Sequence, residues 1–332
     1  MRLAADGGPL QLGFTDYEQT YAKKKTRRQR FLDEMEATVP WDPFLALISP
    51  VYHRPSAKGG RPPFPLEVML RIHLLQQWFT LSDPLMEEML IETPCFRRFA
   101  GIDMVEDRIP DETTILNFRH LLEENRIAEQ ILETVNQSLR EKGVMLKEGT
   151  ILDATIINAP SSTKNKTGER DPEMHSVAKG NQWFFGMRCH IGVDAASGLV
   201  HSVVSTAANV HELNTAPDRV HGEERVIYGD SGHIGIEKRE AFKDCEAEMR
   251  IAMKPGQRRV LPDTPEGRLL DLMEAAKAHV RAKVEHPFRI IKCQFGFRKV
   301  FYRGIRKNNL KLTMLFALAN LWMVRERCPS TA

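Results

Sequence analysis

Apolar positions recur at helical spacing through the first part of the chain, with turn signals between the repeats. This pattern predicts an all-helical region within residues 23–145. Ser82 and Asp111 are residue types that cap helix starts, and Gly143 is a type that follows a helix end. The predicted helices span residues 26–38, 65–79, 82–93, 112–124 and 127–142.

After residue 149 the pattern changes to strands. Short runs rich in aliphatic and β-branched residues predict strands at 150–158, 183–193, 198–206, 225–229 and 249–253. Helices are predicted at 213–220, at 237–245, from 266 onward and at 310–324. Three clustered strands followed by alternating strands and helices indicate an α/β fold, a mixed sheet flanked by helices. With strand order 3-2-1-4-5, the first and fourth strands are neighbours.

This pattern divides the chain into four segments. We expect an N-terminal arm (1–22), a helical DNA-binding or dimerisation region (23–145), an α/β catalytic domain (146–325) and a C-terminal tail (326–332). A hydrophobic content of 42% and a charged content of 27% fit a globular protein, and no apolar run reaches membrane-spanning length. The five cysteines are scattered and odd in number, which disfavours a zinc site or a disulfide framework and favours a reducing cytoplasm.

Two concentrated basic zones stand out in a chain whose net charge is only +3. The second zone, residues 281–311, contains ten Lys or Arg and a single acid, Glu285. Such zones indicate contact with phosphate backbones, although a solvated helix face is an alternative for each. Arg119 and His120 would suit a DNA-reading helical hairpin, but a dimerisation role is equally compatible with that region. The first zone contains Lys23, Lys24, Lys25, Arg27 and Arg28.

Three acidic residues are candidates for one site. Asp153 lies within a predicted strand among apolar neighbours, where a carboxylate is costly unless it is paired, protonated or metal-bound. Asp230 follows a predicted strand, at the edge where α/β sheets bind ligands. Glu285 is followed by Pro287, so we expect it at a kink or helix junction. The alternatives are a core salt bridge for Asp153, a turn role for Asp230 and a helix ion pair for Glu285.

Three carboxylates of this kind favour Mg²⁺ or Mn²⁺ over zinc, because hard cations prefer oxygen ligands. Two such ions about 4 Å apart clamp the attacking and leaving oxygens of a phosphoryl transfer. The chemistry predicted from the residues alone is therefore metal-dependent cleavage of a phosphate ester.

The chain resembles bacterial insertion-sequence transposases of the DDE type, and is similar to the group named after insertion sequence five. Nearly the whole chain carries the resemblance. Its densest stretches are DATII (153–157), PSSTKNK (160–166), RDPEMH (170–175) and VEHPFRIIK (284–292), with LEVMLRIH (66–73) and NFRHLL (117–122) in the helical region.

This resemblance implies a ribonuclease-H-like catalytic domain in which Asp153, Asp230 and Glu285 bind the metal. The family signature of Tyr, Arg, Glu and Lys around the last acid is matched here by Arg281, Glu285 and Lys292, but Ala278 occupies the Tyr position. His233 stands where the family often has an aromatic residue, and a turn-satisfied histidine is the simpler interpretation. His211–Glu212 also resemble a family element, for which we expect a supporting role.

The implied activity is transposition at terminal inverted repeats. The enzyme would hydrolyse the phosphodiester at each end and join the freed 3′ hydroxyl to target DNA, using Mg²⁺ for which Mn²⁺ can substitute. The partners would be double-stranded DNA and a second copy of the chain, near the bacterial nucleoid. Alternatives are a nuclease or resolvase of the same fold, and an inactive DNA-binding regulator. Further expected DNA contacts are Arg281, Lys292, Arg289, Lys164, Lys166, Lys179 and Trp183, the last of which could instead be core.

Overall fold

The computed structural model describes residues 24–52, 62–103, 107–166 and 168–326. These residues form two compact units. One contains the described residues up to Ile131 together with those from Leu321 onward, and the other spans Leu132–Asn320. The four-segment division given above stays a prediction. Of the predicted DNA contacts, Lys23 lies outside the described residues.

Helices build the first unit, and their starts follow the capping chemistry of the sequence. Thr26 caps the first helix in a reciprocal pair with Gln29, and Ser82 and Asp111 cap later ones. Two short helices follow Pro40 and Thr93, beyond points where we predicted only helix ends. The helices are α1 (Arg27–Thr38), α2 (Trp41–Ile48), α3 (Leu66–Phe79), α4 (Asp83–Glu92), α5 (Pro94–Ala100), α6 (Glu112–Glu124) and α7 (Ile127–Glu141), whose residues from Leu132 belong to the second unit.

A six-stranded mixed sheet forms the centre of the second unit. Its strands are β1 (Gly149–Asn158), β2 (His175–Lys179), β3 (Gln182–Asp194), β4 (Val200–Ala207), β5 (Val226–Gly229) and β6 (Glu248–Ile251). β3 pairs antiparallel with β1 on one side and with β2 and β4 on the other. β1, β5 and β6 are mutually parallel. The order β4-β3-β1-β5-β6 confirms the predicted ribonuclease-H-like sheet flanked by helices. β2 was not predicted, because its residues are mostly exposed and polar.

The two helices predicted at 213–220 and 237–245 are wrong. The chain there forms short 3₁₀ turns at Glu212–Thr215, Pro217–Arg219, Ile236–Lys238 and Glu240–Phe242. Ile236 and Phe242 both pack into the apolar cluster under the sheet with Leu152 and Ile227. Short 3₁₀ turns, not an α-helix, bury both side chains there. Packing therefore overrides helix propensity in this segment.

The remaining helices of the second unit are α8 (Pro255–Arg259), α9 (Pro265–Arg281), α10 (Glu285–Arg289) and α11 (Ile305–Val324). Between α9 and α10 the chain tightens into a 3₁₀ turn, and after α10 it widens into a π-helical turn, Ile290–Gln294. Glu285 is thus at the helix junction that Pro287 predicted. No helix in the described part of the chain combines the length and hydropathy needed to cross a membrane.

A buried asparagine fixes α11 to the sheet. The Asn320 side chain accepts a hydrogen bond from Val200 N–H at 2.9 Å and donates to Val200 C=O at 2.7 Å. It also donates to the Asn136 side-chain oxygen at 3.0 Å, and both asparagines are fully buried. These bonds satisfy main-chain groups of β4 that water cannot reach.

Removing this amide should destabilise the second unit. We expect Asn320→Ala to lower the free energy of unfolding by about 2–4 kcal/mol, because it strands a buried N–H and a buried C=O. Gln137→Ala, which truncates an exposed amide on α7, is the control and should change stability by less than about 0.5 kcal/mol. Chemical denaturation of both variants measures the difference. Equal stabilities would contradict a structural role for Asn320.

Candidate active site

Sheet register brings two of the predicted acids together. β1 and β5 run parallel with Leu152 opposite Gly229, so the next residues in each strand direction are Asp153 and Asp230. Charge repulsion between these two carboxylates contributes to the pKa of Asp153. The prediction that the first and fourth core strands are neighbours is therefore confirmed, and with it the pairing of these aspartates.

Asp153 occupies an environment that disfavours its charge. Burial, and to a lesser degree repulsion from Asp230 and Glu212, raises the pKa of Asp153 to about 6. The hydrogen bond from Ala154 N–H and the charge of Arg281 lower this pKa and partly offset the rise. Asp153 Oδ1 accepts the hydrogen bond from Ala154 N–H at 2.8 Å. Within the described residues Asp153 has no ion pair, so the core salt bridge considered from sequence is not formed. The carboxylate remains available to a cation.

Asp230 is held by the turn that follows β5. Burial opposes its charge, but hydrogen bonding and attraction to His233, together with Arg281 and the Gly232 N–H, lower its pKa below the ordinary value. Its Oδ1 accepts from Gly232 N–H at 2.9 Å and lies 2.8 Å from His233 Nδ1. A Cβ at Gly229 would lie 2.9 Å from the His233 Cβ, so only glycine leaves room for this ring.

Glu212 joins the two aspartates and was not predicted as a site residue. Glu212, Asp230 and His233 each offer a ligand atom, and these atoms lie within 4.8 Å of one another. Glu212 Oε1 accepts a hydrogen bond from Arg188 at 3.2 Å, whereas its Oε2 is buried and lacks a hydrogen-bond partner. The available sequence signal was only the family element at His211–Glu212, for which we expected a supporting role.

Arg219 lies behind these carboxylates and is fully buried. Burial lowers its pKa to about 10, while the negative charges of Glu212, Asp153 and Asp230 favour its charged form. It therefore stays protonated at neutral pH. Nothing in its sequence context, a polar segment predicted as helix, distinguished it from a surface arginine.

Glu285 begins α10 at the helix junction, and the described structure does not place it in the cluster of Glu212, Asp230 and His233. Arg281, one turn earlier, acts electrostatically on both aspartates. Lys292, further along the same segment, donates a hydrogen bond to the hydroxyl of Thr155, which shares a strand face with Asp153. Burial lowers the pKa of Lys292, and attraction to Glu285 opposes that effect. Glu285 is exposed and forms no ion pair with Arg281 or Arg289 in the described structure, against the helix-pair alternative.

Most of the remaining predicted DNA contacts are solvent-exposed. Trp183, at the start of β3, has 73% of its surface exposed, so the core alternative for this ring is wrong. His120 is half-buried. Lys25 is exposed but paired with Asp33 at 2.6 Å, and Arg28 packs over the rings of Phe79 and Phe96. Also exposed are Lys24, Arg27, Lys164, Lys166, Lys179 and Arg289.

Arg119 is the exception among these residues. Its side chain is buried and pairs with Asp83 at 2.9 Å and Glu123 at 2.7 Å. Because both ends of the guanidinium fork already contact carboxylates, its charge is neutralised inside the helical unit. Arg119 therefore stabilises the contact between α4 and α6, and we no longer place it among the DNA contacts.

The donor set suits a hard divalent cation. Glu212 and Asp230 offer oxygens within 4.8 Å of one another, and Asp153 lies beside Asp230 in the sheet. The buried Glu212 Oε2 accepts no hydrogen bond from the described residues and lies 3.9 Å from His233 Nδ1, and a cation satisfies an acceptor of this kind. A raised carboxylate pKa beside a second carboxylate is typical of functional sites. The arrangement fits Mg²⁺ or Mn²⁺ better than zinc, because the four described cysteines (Cys95, Cys189, Cys245 and Cys293) lie outside this donor set.

Two family models match the chain, and both describe transposase domains. The family described as Transposase DDE domain matches residues 145–321, and the one described as Transposase domain (DUF772) matches residues 19–121. Among solved structures, the Mos1 strand transfer complex is 16% identical over 74% of this chain and 82% of that chain, with a TM-score of 0.17. The Mos1 mariner paired end complex with Mn is 16% identical over 86% of this chain and 92% of that chain, also with a TM-score of 0.17. A TM-score of 0.17 does not establish a shared arrangement of the chain.

The raised pKa of Asp153 predicts a pH-dependent stability difference. Because the folded chain binds a proton at Asp153 more tightly than the unfolded chain, this group favours folding below about pH 4 and progressively less between about pH 4 and 6. With a chelator present, Asp153→Asn should therefore raise the free energy of unfolding at pH 8 by about 1–3 kcal/mol and leave it unchanged at pH 4.

Urea unfolding at both pH values checks this expectation. Asp244→Asn, an exposed substitution in the same unit, is the control and should change stability by less than about 0.5 kcal/mol at either pH. Destabilisation of the Asp153→Asn variant at pH 8 would show that the carboxylate is satisfied in the folded chain.

Proposed function

This chain belongs to the transposase DDE family, and from that premise we propose that it cuts and joins DNA at the ends of an insertion sequence. The family assignment makes it a DNA transposase. The observation that carries the detailed proposal is the placement of Asp153 beside Asp230 at the sheet edge, with Glu212 clustered next to Asp230 and one buried Glu212 oxygen left without a hydrogen bond in the described structure. We further propose membership of the group named after insertion sequence five, action on terminal inverted repeats, and association with the nucleoid.

The metal would be held by the carboxylates at the sheet edge. Asp153 and Asp230 would ligate or bridge two Mg²⁺ ions, and Glu285 would complete the coordination of one. When bound, such ions lower the pKa of water and neutralise charge on the phosphoryl group. Asp153 takes part only as a carboxylate, so its proton must leave before it can ligate. Mn²⁺ accepts the same oxygen ligands and should substitute.

Two chemical steps would use this one site. In the first, a water oxygen bonds to the phosphorus at the transposon end, and the bond to the 3′ oxygen breaks, leaving a 3′ hydroxyl. In the second, that hydroxyl bonds to a target phosphorus and displaces the target's own 3′ oxygen. Arg281 and Lys292 lie on either side of Glu285 along the helix junction, where they would hold phosphates next to the carboxylates.

Exposed side chains of the catalytic unit would contact the DNA. Lys164, Lys166, Lys179 and Arg289 are free to approach phosphates, which supply most of the affinity for DNA. Trp183 presents an exposed ring that would stack on an unpaired or flipped base at the transposon end. In the helical unit, Lys24, Arg27 and Arg28 are the proposed contacts, with His120 as a partly exposed candidate.

A homodimer is supported by an apolar stripe on α9. Leu269, Leu272 and Met273 are all largely exposed, and their spacing with Ala276 and Val280 repeats every three or four residues. Contiguous exposed apolar surface of this kind marks protein–protein contacts. We therefore propose that α9 pairs with α9 of a second copy.

The catalytic assignment is tested by Asp153→Asn. We expect this variant to lose Mg²⁺-dependent cleavage of a terminal inverted repeat by at least about 100-fold, because even residues that only support metal ligands contribute 10–100-fold. Binding to the same DNA should be unchanged, and Asp244→Asn should cleave normally. Metal-dependent cleavage that persists in Asp153→Asn would contradict the assignment. A strand-transfer assay with a pre-cleaved end separates a transposase from a nuclease.

The dimer is tested by charge substitution on the stripe. We expect Leu272→Glu with Met273→Glu to convert a dimer into a monomer in sedimentation equilibrium, because two buried carboxylates would oppose association. Leu146→Glu, which alters an exposed apolar residue away from α9, should leave the mass unchanged. A dimer that survives the double substitution, or a wild-type chain that is monomeric on DNA, would rule out this interface.

A further inference from the structure

Arg219 makes an unusual set of hydrogen bonds for a buried arginine. Its Nε donates to Thr215 C=O at 3.2 Å, its Nη1 to Asp153 C=O at 3.3 Å and its Nη2 to Glu212 C=O at 2.8 Å. Nη2 also lies 3.3 Å from His233 Nε2. One guanidinium thus contacts β1, the turn after β4 and the turn after β5, which are the three elements that carry the clustered carboxylates.

The main chain of Arg219 is itself fixed against the sheet. Its C=O accepts a hydrogen bond from the Ser202 hydroxyl of β4 at 3.2 Å. A Cβ at Gly192 of β3 would lie 2.4 Å from that same oxygen, so the glycine allows the close approach. Arg219 is therefore anchored at both its backbone and its guanidinium group.

The contact with His233 determines which ring nitrogen carries the proton. Arginine has donors only, so His233 Nε2 must accept from Arg219. In the neutral ring the proton then lies on Nδ1, which donates to Asp230 Oδ1 at 2.8 Å. Both hydrogen bonds to Asp230 within the described structure end on Oδ1, which leaves Oδ2 without a hydrogen bond.

Arg219 thus touches Asp153 at its backbone and Asp230 only through His233. The contact with Asp153 does not involve its carboxylate, and the contact through His233 occupies only Oδ1 of Asp230, in contrast to Arg119, whose guanidinium binds carboxylates directly. An arginine placed to neutralise the acids would bind their side chains. This one holds the elements that carry them.

We propose that Arg219 is the positioning residue of this site, holding Asp153 through its carbonyl and Asp230 through His233, so that both carboxylates face the same divalent cation. This inference rests on the proposed metal-dependent function. Lysine cannot replace Arg219, because a single ammonium point cannot reach acceptors in several directions as the planar fork does.

The test is Mn²⁺ binding to the full-length chain without DNA, followed by the electron paramagnetic resonance signal of free Mn²⁺. We expect Arg219→Lys and His233→Ala each to weaken Mn²⁺ binding by about 10–100-fold. Because Arg219 acts partly through His233, the double variant should lose less than the product of the two single losses. Arg97→Lys is the matched control, since Arg97 is a buried arginine that donates to main-chain carbonyls in the helical unit. It should bind Mn²⁺ like wild type.

The outcomes separate this inference from the proposed function. No Mn²⁺ binding by the wild-type chain would overturn the metal-dependent function itself. Wild-type affinity in Arg219→Lys, or losses that multiply in the double variant, would overturn the positioning role alone. If Arg219→Lys fails to unfold cooperatively, His233→Ala decides, because it leaves Arg219 intact. A His233→Ala variant that binds Mn²⁺ normally would then refute the role.

Discussion

The parallel pairing of β1 with β5 forces two carboxylates into one partly buried place. With Leu152 opposite Gly229, Asp153 and Asp230 have to emerge side by side. Burial disfavours the charge of Asp153, repulsion from Asp230 adds a smaller contribution, and the pKa of Asp153 rises to about 6. Neither strand can shift by one residue without turning its buried face outward, so the sheet's core maintains the repulsion. An unfavourable pair of this kind is what a divalent cation relieves.

In the described part of the chain, the arginine and lysine side chains around the two aspartates do not bind the carboxylate oxygens that a metal ion would need. Arg219 binds carbonyl groups, Lys292 donates to the Thr155 hydroxyl, and Arg281 acts on both aspartates without a direct ion pair in the described structure. A salt bridge from an arginine or lysine to either aspartate would stabilise the apo fold and compete with the metal. The site therefore retains its negative charge at some cost to stability, as functional sites commonly do.

Many of the helices and strands could be predicted from the sequence, because the residues that begin or end them lie within or next to each element. The helix caps at Ser82 and Asp111, the apolar run of β1 and the small-residue turn after Asp230 each identify their own element. The order 3-2-1-4-5, assumed for a mixed sheet, is the order that the core strands have. Glu285 at a helix junction was predictable from Pro287, since proline cannot continue a regular helix.

What the sequence did not show depends on contacts between distant segments. Arg219 and Glu212 lie in a polar stretch that resembles a surface helix, but the chain there forms two 3₁₀ turns, and Ala216 between them is buried in the apolar cluster with Leu152. Arg119 was predicted to contact DNA but is buried and paired with Asp83 and Glu123. The local sequence around a buried, paired arginine does not differ from that around an exposed one. The sequence also did not show that Trp183 is exposed, or that β2, whose residues are mostly polar, pairs with the start of β3.

The most direct measurement is the anomalous diffraction of Mn²⁺ in crystals of the full chain. We expect Mn²⁺ density within about 2–2.5 Å of carboxylate oxygens from both Asp153 and Asp230. The His233 ring should still contact Asp230 Oδ1, and Arg219 should still contact Asp153 C=O. Manganese bound elsewhere, or a site between the aspartates that stays empty at saturating Mn²⁺, would contradict the assignment of this sheet edge as the catalytic metal centre.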